Sequence, residues 1–211
     1  MSPDKLTISQ VAWYFLPGMY ALLSAITPIA CLSPSSTSAL LSSLGAIGFA
    51  IIGLVIGFLI DGLRLYRFRP GYKTIRAEFF GQLQNDMGVS RNPYFILDQI
   101  VALAQSNEQS AIRFNHSIWI MLGQMTILSW LHAMLWILLP VAVWLFSKPP
   151  ALWGHPVSFT GLVAASATAA LIAVLVGVRL MWTSLEEQNK TNSMYREYAQ
   201  AKKTEILRRL L

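Results

Sequence analysis

Charge is what this sequence has least of. Only 12% of its 211 residues are Asp, Glu, Lys or Arg, about half the share of an average soluble domain. Residues 6–60 contain no charge at all, and neither do 114–147 or 149–178. Runs of that length exceed the roughly 18–20 apolar residues that mark a membrane-spanning helix. A chain this short has no soluble core large enough to hide three of them. Cysteine is nearly missing too: Cys31 stands alone, so no intrachain disulfide can form. The residues before the first apolar run include Asp4 and Lys5 rather than a basic cluster, which makes a poor signal peptide. Pro28 occupies the place where a lipoprotein signal ahead of Cys31 needs a branched aliphatic residue.

Catalytic signatures are absent as well. No glycine-rich phosphate loop, no GxSxG and no set of intramembrane carboxylates occurs, whereas an enzyme needs several convergent polar groups. The three histidines, His116, His132 and His155, are scattered, and none has metal-ligand spacing. We therefore expect no enzyme, no cofactor and no metal site.

What is present is 55% hydrophobic residues arranged in long blocks. They predict an all-α polytopic membrane protein with four transmembrane helices and a small helical cytoplasmic layer. The first span runs from about Val11 to Cys31, interrupted by Pro17-Gly18 and Pro28. Leu32–Ser43, rich in Ser and Pro, reads as an external turn. The second span runs from about Leu44 to Tyr66. The third helix starts near Ser106, where Ser106-Asn107-Glu108-Gln109 has capping-box spacing, and reaches Phe146. Its uncharged part would be near 50 Å long at about 1.5 Å per residue, against a hydrocarbon core of about 30 Å, so it must tilt, protrude or bend, with Pro140 the natural bend. A second external loop holds Trp153 as an interfacial anchor, and the fourth span covers about Ser158–Trp182. Divided by function, the chain reads as spans one and two (1–66), a cytoplasmic loop (67–113), spans three and four (114–183) and a C-terminal helix (184–211).

The loop and tail have helical patterns of their own. Tyr72–Gln84 is amphipathic, Asn85–Gly88 is a turn, and Asn92-Pro93 is an N-cap followed by proline at the first helical position. In the tail, Tyr195, Tyr198, Ala199, Ile206 and Leu210 make a stripe at helical spacing.

The net charge of +6 is concentrated in these two segments. Seven Lys and Arg residues lie in 64–113 and six in the tail, against none and one in the other two connections. The positive-inside bias puts both basic segments, and with four spans both termini, in the cytoplasm. The stretch Arg64, Arg67, Arg69, Lys73 and Arg76, interleaved with aromatics, could stack on bases. Its place directly after a span argues instead for anionic lipid heads or a partner, and direct nucleic acid binding is not expected.

Small residues mark two spans. Ala46, Ala50, Gly53 and Gly57 lie at i, i+4, i+7 and i+11, with Gly53 and Gly57 a GxxxG pair. Ala170, Ala173 and Gly177, with Ser166, repeat the pattern in the fourth span. Such faces serve either a self-association seam or packing inside one subunit, and two of them argue for a homo-oligomer. Asp61 continues the first face and is either an ion or intersubunit site or a local partner of Arg64. Gln124 and His132 lie within about 80° of each other around the third helix, fit either to line a wet path or to hydrogen-bond across helices.

The outline of four spans, a basic loop from Arg64 to Arg113 and a basic tail resembles the small four-span membrane subunits of bacterial antiphage defence systems, such as the membrane subunit of Kiwa. That resemblance implies an inner-membrane, tetramer-like assembly that detects phage attack and binds a cytoplasmic effector. The residues themselves point to a membrane sensor or anchor that displays cytoplasmic helices to a protein partner, the overlong third helix passing motion between layer and bilayer. The alternatives are a pore or channel, or a transporter subunit.

Overall fold

In a computed structural model, residues 8–104, 106–146, 150–152 and 155–210 are described. Among these residues the chain is all-α apart from one two-residue ladder. Its helices are α1 (Ile8–Leu32), α2 (Pro34–Leu63), α3 (Tyr72–Met87), α4 (Pro93–Leu103), α5 (Ser106–Leu145), α6 (Phe159–Ala201) and α7 (Lys203–Leu210), with a 3-10 turn at Leu65–Phe68. The loop between α5 and α6 contains strands β1 (Ala151–Leu152) and β2 (His155–Pro156), paired antiparallel with Leu152 opposite His155. Trp153 lies outside the described residues.

Three helices are long and apolar enough to cross a membrane: Thr37–Leu63, Ala111–Leu145 and Phe159–Ala201. Their apolar faces point outward. Only 17% of the apolar window of α2 is buried within the protein, and Ile47, Ile51, Val55, Leu59 and Leu63 are exposed along it. In water such a surface would be a severe cost, since each large side chain left exposed forgoes about 1.5–3 kcal/mol; in lipid it costs nothing. The membrane-embedded character read from the sequence therefore stands. A fourth crossing, by α1, is not established by these helices.

The chain divides into two compact units, 1–66 with 121–181 and 67–120 with 182–211. Both α5 and α6 contribute to each. The sequence-based division at 113/114 and 183/184 lies seven residues from one of these boundaries and two from the other, because helical continuity, not charge, carries the chain across them.

The first unit pairs α1 with α2. A Cβ added to Gly18 would collide with the Gly53 carbonyl, and one added to Gly57 would collide with the backbone of Tyr14. These glycines let two backbones approach until no side chain fits between them. Tyr14 stacks on Phe58 beside the contact, with ring centroids 4.3 Å apart. The α5 and α6 parts of the unit bury Ala133, Trp136, Leu139 and Val143 against Leu162, Ala170 and Ala173. α5 runs through Pro140 without interruption, up to Leu145.

Two expectations for this unit are corrected. Leu32–Ser43 is not a turn: α2 begins at Pro34, and the break falls at Gly45, whose φ of 62° suits glycine. The hydroxyls that suggested a loop bond back to the preceding turn, Thr37 to the Ser33 carbonyl at 3.0 Å, Ser42 to Ala39 at 2.9 Å and Ser43 to Leu40 at 2.8 Å, so they need no solvent. The fourth span and the tail are not separate helices either. α6 continues unbroken for 43 residues to Ala201, since nothing between Trp182 and Tyr195 is a helix breaker.

The second unit has its own core. Phe79, Leu83 and Met87 of α3 meet Ile96 and Ile100 of α4, Ala199 of α6, and Ile206 and Leu210 of α7. The tail stripe is therefore a core face, with Tyr195 and Tyr198 at its edge. α3 ends at Gly88, φ 68°, whose N–H reaches the Gln84 carbonyl at 2.9 Å. Asn92 caps α4 as expected, its side chain accepting from the Tyr94 N–H at 3.0 Å. Gln109, expected to close a capping box on its own helix, turns to α4 instead and donates to the carbonyls of Val101 and Ala104, both at 2.8 Å. Free carbonyls at a helix end compete well for an amide. Polar links close the unit, with Arg196 on Asp86 at 2.7 Å and Tyr198 donating to the Leu103 carbonyl at 2.7 Å.

Substitution tests both cores. Gly57→Ala should lower stability by about 1–3 kcal/mol through overpacking, whereas Gly62→Ala, whose Cβ would meet nothing within 4 Å, should not; denaturation of the purified protein in detergent compares them. Leu83→Ala, at a fully buried position, should cost about 2–5 kcal/mol, read as faster amide hydrogen exchange in α3 and α4.

Candidate functional site

Several buried or half-buried polar groups of the first unit are paired. Gln124 is buried and donates through Nε2 to Asp61 Oδ1 at 2.9 Å. Asp61 sits two residues before the end of α2, and its carboxylate is half-buried. Arg64 is exposed and takes no part as an ion-pair partner of Asp61 among the described residues. It caps α2 instead, in the left-handed conformation at φ 51°, with its N–H on the Asp61 carbonyl at 2.9 Å. The Asp61–Arg64 pair is replaced by Asp61–Gln124 because the left-handed cap turns the chain out of the helix before Arg64 can reach back. His132 is occupied by its own helix: Trp136 Nε1 donates to its Nε2 at 2.8 Å. Gln124 and His132 thus have separate partners and do not form one path. Ser129, between them in sequence, shares a 2.7 Å hydrogen bond with Tyr20 of α1.

The small-residue positions are distributed by the same packing. Gly53 and Gly57 are covered by α1, Ala50 is half-buried, and Ala46 is exposed just beyond the Gly45 break. Ala170 and Ala173 lie in the α5–α6 core, and Gly177 lies against Trp130 and Ser129 of α5. The contacts these faces make are with α1 and α5 of the same chain.

The second unit holds the more chemically distinctive arrangement. Of its basic residues read as surface contacts, Arg67 and Lys73 are exposed, but Arg69 is 2% exposed. Its guanidinium donates to Ser184 Oγ and to Gln188 Oε1, and lies 5.8 Å from the Trp119 ring centroid. Ser184 in turn donates to the Trp119 carbonyl at 2.7 Å. Arg69 Nε has no partner among the described residues. No carboxylate pairs with Arg69 among the described residues, and burial pushes its pKa down to about 10, with the Tyr72 phenol opposing; it stays charged at neutral pH. No local pattern announces this burial. The turn Arg69-Pro70-Gly71, with Gly71 at φ 79°, redirects the chain just after the 3-10 turn and carries Arg69 inward.

Arg76, one helical stretch on, is half-buried and held by aromatics. It donates to the Tyr72 and Tyr94 hydroxyls, and its guanidinium carbon lies 5.6, 5.1 and 5.3 Å from the ring centroids of Tyr72, Phe80 and Tyr94. Stacked rings hold a guanidinium by cation–π attraction and fix its plane. Beside it opens a cleft of about 80 Å³ lined by Tyr72, Arg76, Phe79, Phe80, Leu97, His116, Trp119, Gln188, Asn192 and Tyr195. A second cleft of about 190 Å³ lies where Ile75, Glu78 and Gln82 of α3 face Asn189, Ser193 and Arg196 of α6. Phe79 and Asn192 line both. Of the first cleft's polar residues, Arg76, His116 and Tyr195 are singled out in the sequence, each for a different reason; with Gln188 and Asn192 they escape notice as a group because α5 and α6 bring them to α3 from distant parts of the chain. Among the described residues no group of three or more His, Cys, Asp or Glu could hold a metal.

No protein-family model, no curated protein and no solved structure matches this chain.

The Asp61–Gln124 bond can be measured directly. Gln124→Leu should cost about 1–3 kcal/mol by leaving the carboxylate unpaired, and adding Asp61→Leu should restore part of that loss. Additive losses in the double-mutant cycle would show that the two side chains do not interact.

Proposed function

We propose that this protein is a non-enzymatic, homo-oligomeric four-span protein of the bacterial inner membrane, α1 being the fourth span and both termini cytoplasmic. Its second unit serves as a docking layer that recruits a soluble cytoplasmic effector when the membrane is disturbed. The observation that carries this reading is that the segments flanking the spans, 67–120 and 182–211, form a unit with a core of its own. Mere connections would not need to bury Leu83, Ile96, Ile100 and Ile206 completely. On its outside α4 leaves Tyr94 and Phe95 half or more exposed, at 50% and 59%, beside exposed Asp98. Exposed aromatics are enriched at protein interfaces, and a charge such as Asp98 suits the polar rim around them. The resemblance to the four-span subunits of antiphage systems supports a defence role for the recruited effector.

Two measurements test the reading. On a Cys31→Ser background, Arg91→Cys, at an exposed position, should label only from the cytoplasmic side. Phe95→Asp should abolish co-purification of the effector from native membranes while Lys73→Ala leaves it intact; equal capture by both variants and the parent would overturn the docking role.

A further inference from the structure

The Arg76 cleft carries more donors than the chain uses. Arg76 commits two of its five N–H groups to the Tyr72 and Tyr94 hydroxyls. Gln188 accepts from buried Arg69 with its oxygen, which leaves its NH2 end as the part free to donate. The side chains of His116 and Asn192 make no hydrogen bond among the described residues. Among the described residues no Asp or Glu lines the cleft, so no carboxylate in its walls balances the positive charge. The cleft's volume of about 80 Å³ compares with the roughly 10–15 Å³ that a single water needs.

We propose that this cleft is a binding site for a phosphate group. A guanidinium fixed in plane by aromatic rings presents parallel N–H donors that match phosphate oxygens. The remaining donors come from α5 and α6, so they approach the guest from other directions. An acceptor with oxygens on all sides satisfies donors from three helices, and a planar carboxylate does not. The phosphate belongs either to an anionic phospholipid headgroup or to a soluble phosphorylated compound. The assignment shares Tyr94 with the docking reading, through its bond to Arg76, but is tested apart from it, since Phe95, the α4 position tested for docking, does not line the cleft.

The test uses the full chain in nanodiscs. One arm titrates inorganic phosphate at constant ionic strength into discs of zwitterionic lipid; the other replaces part of that lipid with phosphatidylglycerol. The melting temperature should rise in one arm, and that arm identifies the source. The apparent affinity should fall by about tenfold or more in Arg76→Gln, as expected for losing hydrogen bonds to a charged group, and should be unchanged in Arg91→Gln. Asn192→Leu, which removes a donor without touching the aromatic stack, should also weaken binding and decides the question if Arg76→Gln does not fold. No stabilisation in either arm, or equal stabilisation of the parent and the cleft variants, would overturn the assignment.

Discussion

Backbone and side-chain polarity must be satisfied from within wherever helices turn their apolar faces outward, because lipid offers no hydrogen bonds. The first unit is organised by that constraint. Its hydroxyls bond to the preceding helical turn, as Thr126 does to Leu122 and Thr168 to Ala164, both at 2.9 Å. Between helices its polar groups come in pairs, Asp61 with Gln124 and Tyr20 with Ser129, while Trp136 bonds to His132 one turn back on α5. Among the described residues of this unit, Ser166 Oγ is the exception, buried without a partner. Once these pairs are made, the positions of α1, α2 and α5 are no longer free, and the glycines at Gly18, Gly53 and Gly57 let α1 come close enough to complete them.

The second unit obeys the opposite logic. Its core is an ordinary apolar cluster, while Arg69 and Arg76 are held without a carboxylate among the described residues. Arg196 finds Asp86 at 2.7 Å, but Arg69 is held by neutral oxygens and Arg76 by phenols and ring faces. Burying a cation with only neutral partners is costly. The cost is tolerable for Arg69 because its charge is spread over a guanidinium and two acceptors meet it, and this arrangement also fixes Gln188 at the edge of the cleft. A charge held this way is available to a ligand in a manner that an arginine already paired to a carboxylate is not.

The same side chains thus change meaning between sequence and structure. Basic residues after a span suggest a surface that snorkels to lipid heads, and of these Arg67 and Lys73 are exposed. Arg69 differs by position alone, since the turn at Pro70-Gly71 folds it inward. Small residues on α2 and α6 suggest faces available to another subunit, yet α1 covers Gly53 and Gly57 and α5 packs against Ala170, Ala173 and Gly177, while Ala46 stays exposed. A stripe of glycine and alanine states that something packs closely; it does not carry the identity of the neighbour.

What the sequence determined by itself is whatever depends on local or one-dimensional properties: the long apolar helices, the start of α5 at Ser106, the Asn92 cap, the core face of the tail. These follow from hydropathy, periodicity and capping chemistry, which act over a few residues. The continuity of α6 through the tail and the helix at Pro34 were obscured, because loop-like composition was satisfied by local back-bonding. Tertiary structure alone decided that Asp61 meets Gln124, that Arg69 is buried, and that Arg76, His116, Gln188 and Asn192 share one cleft. Each of these joins residues far apart in the chain, and such proximity is set by how helices pack, which no local pattern encodes.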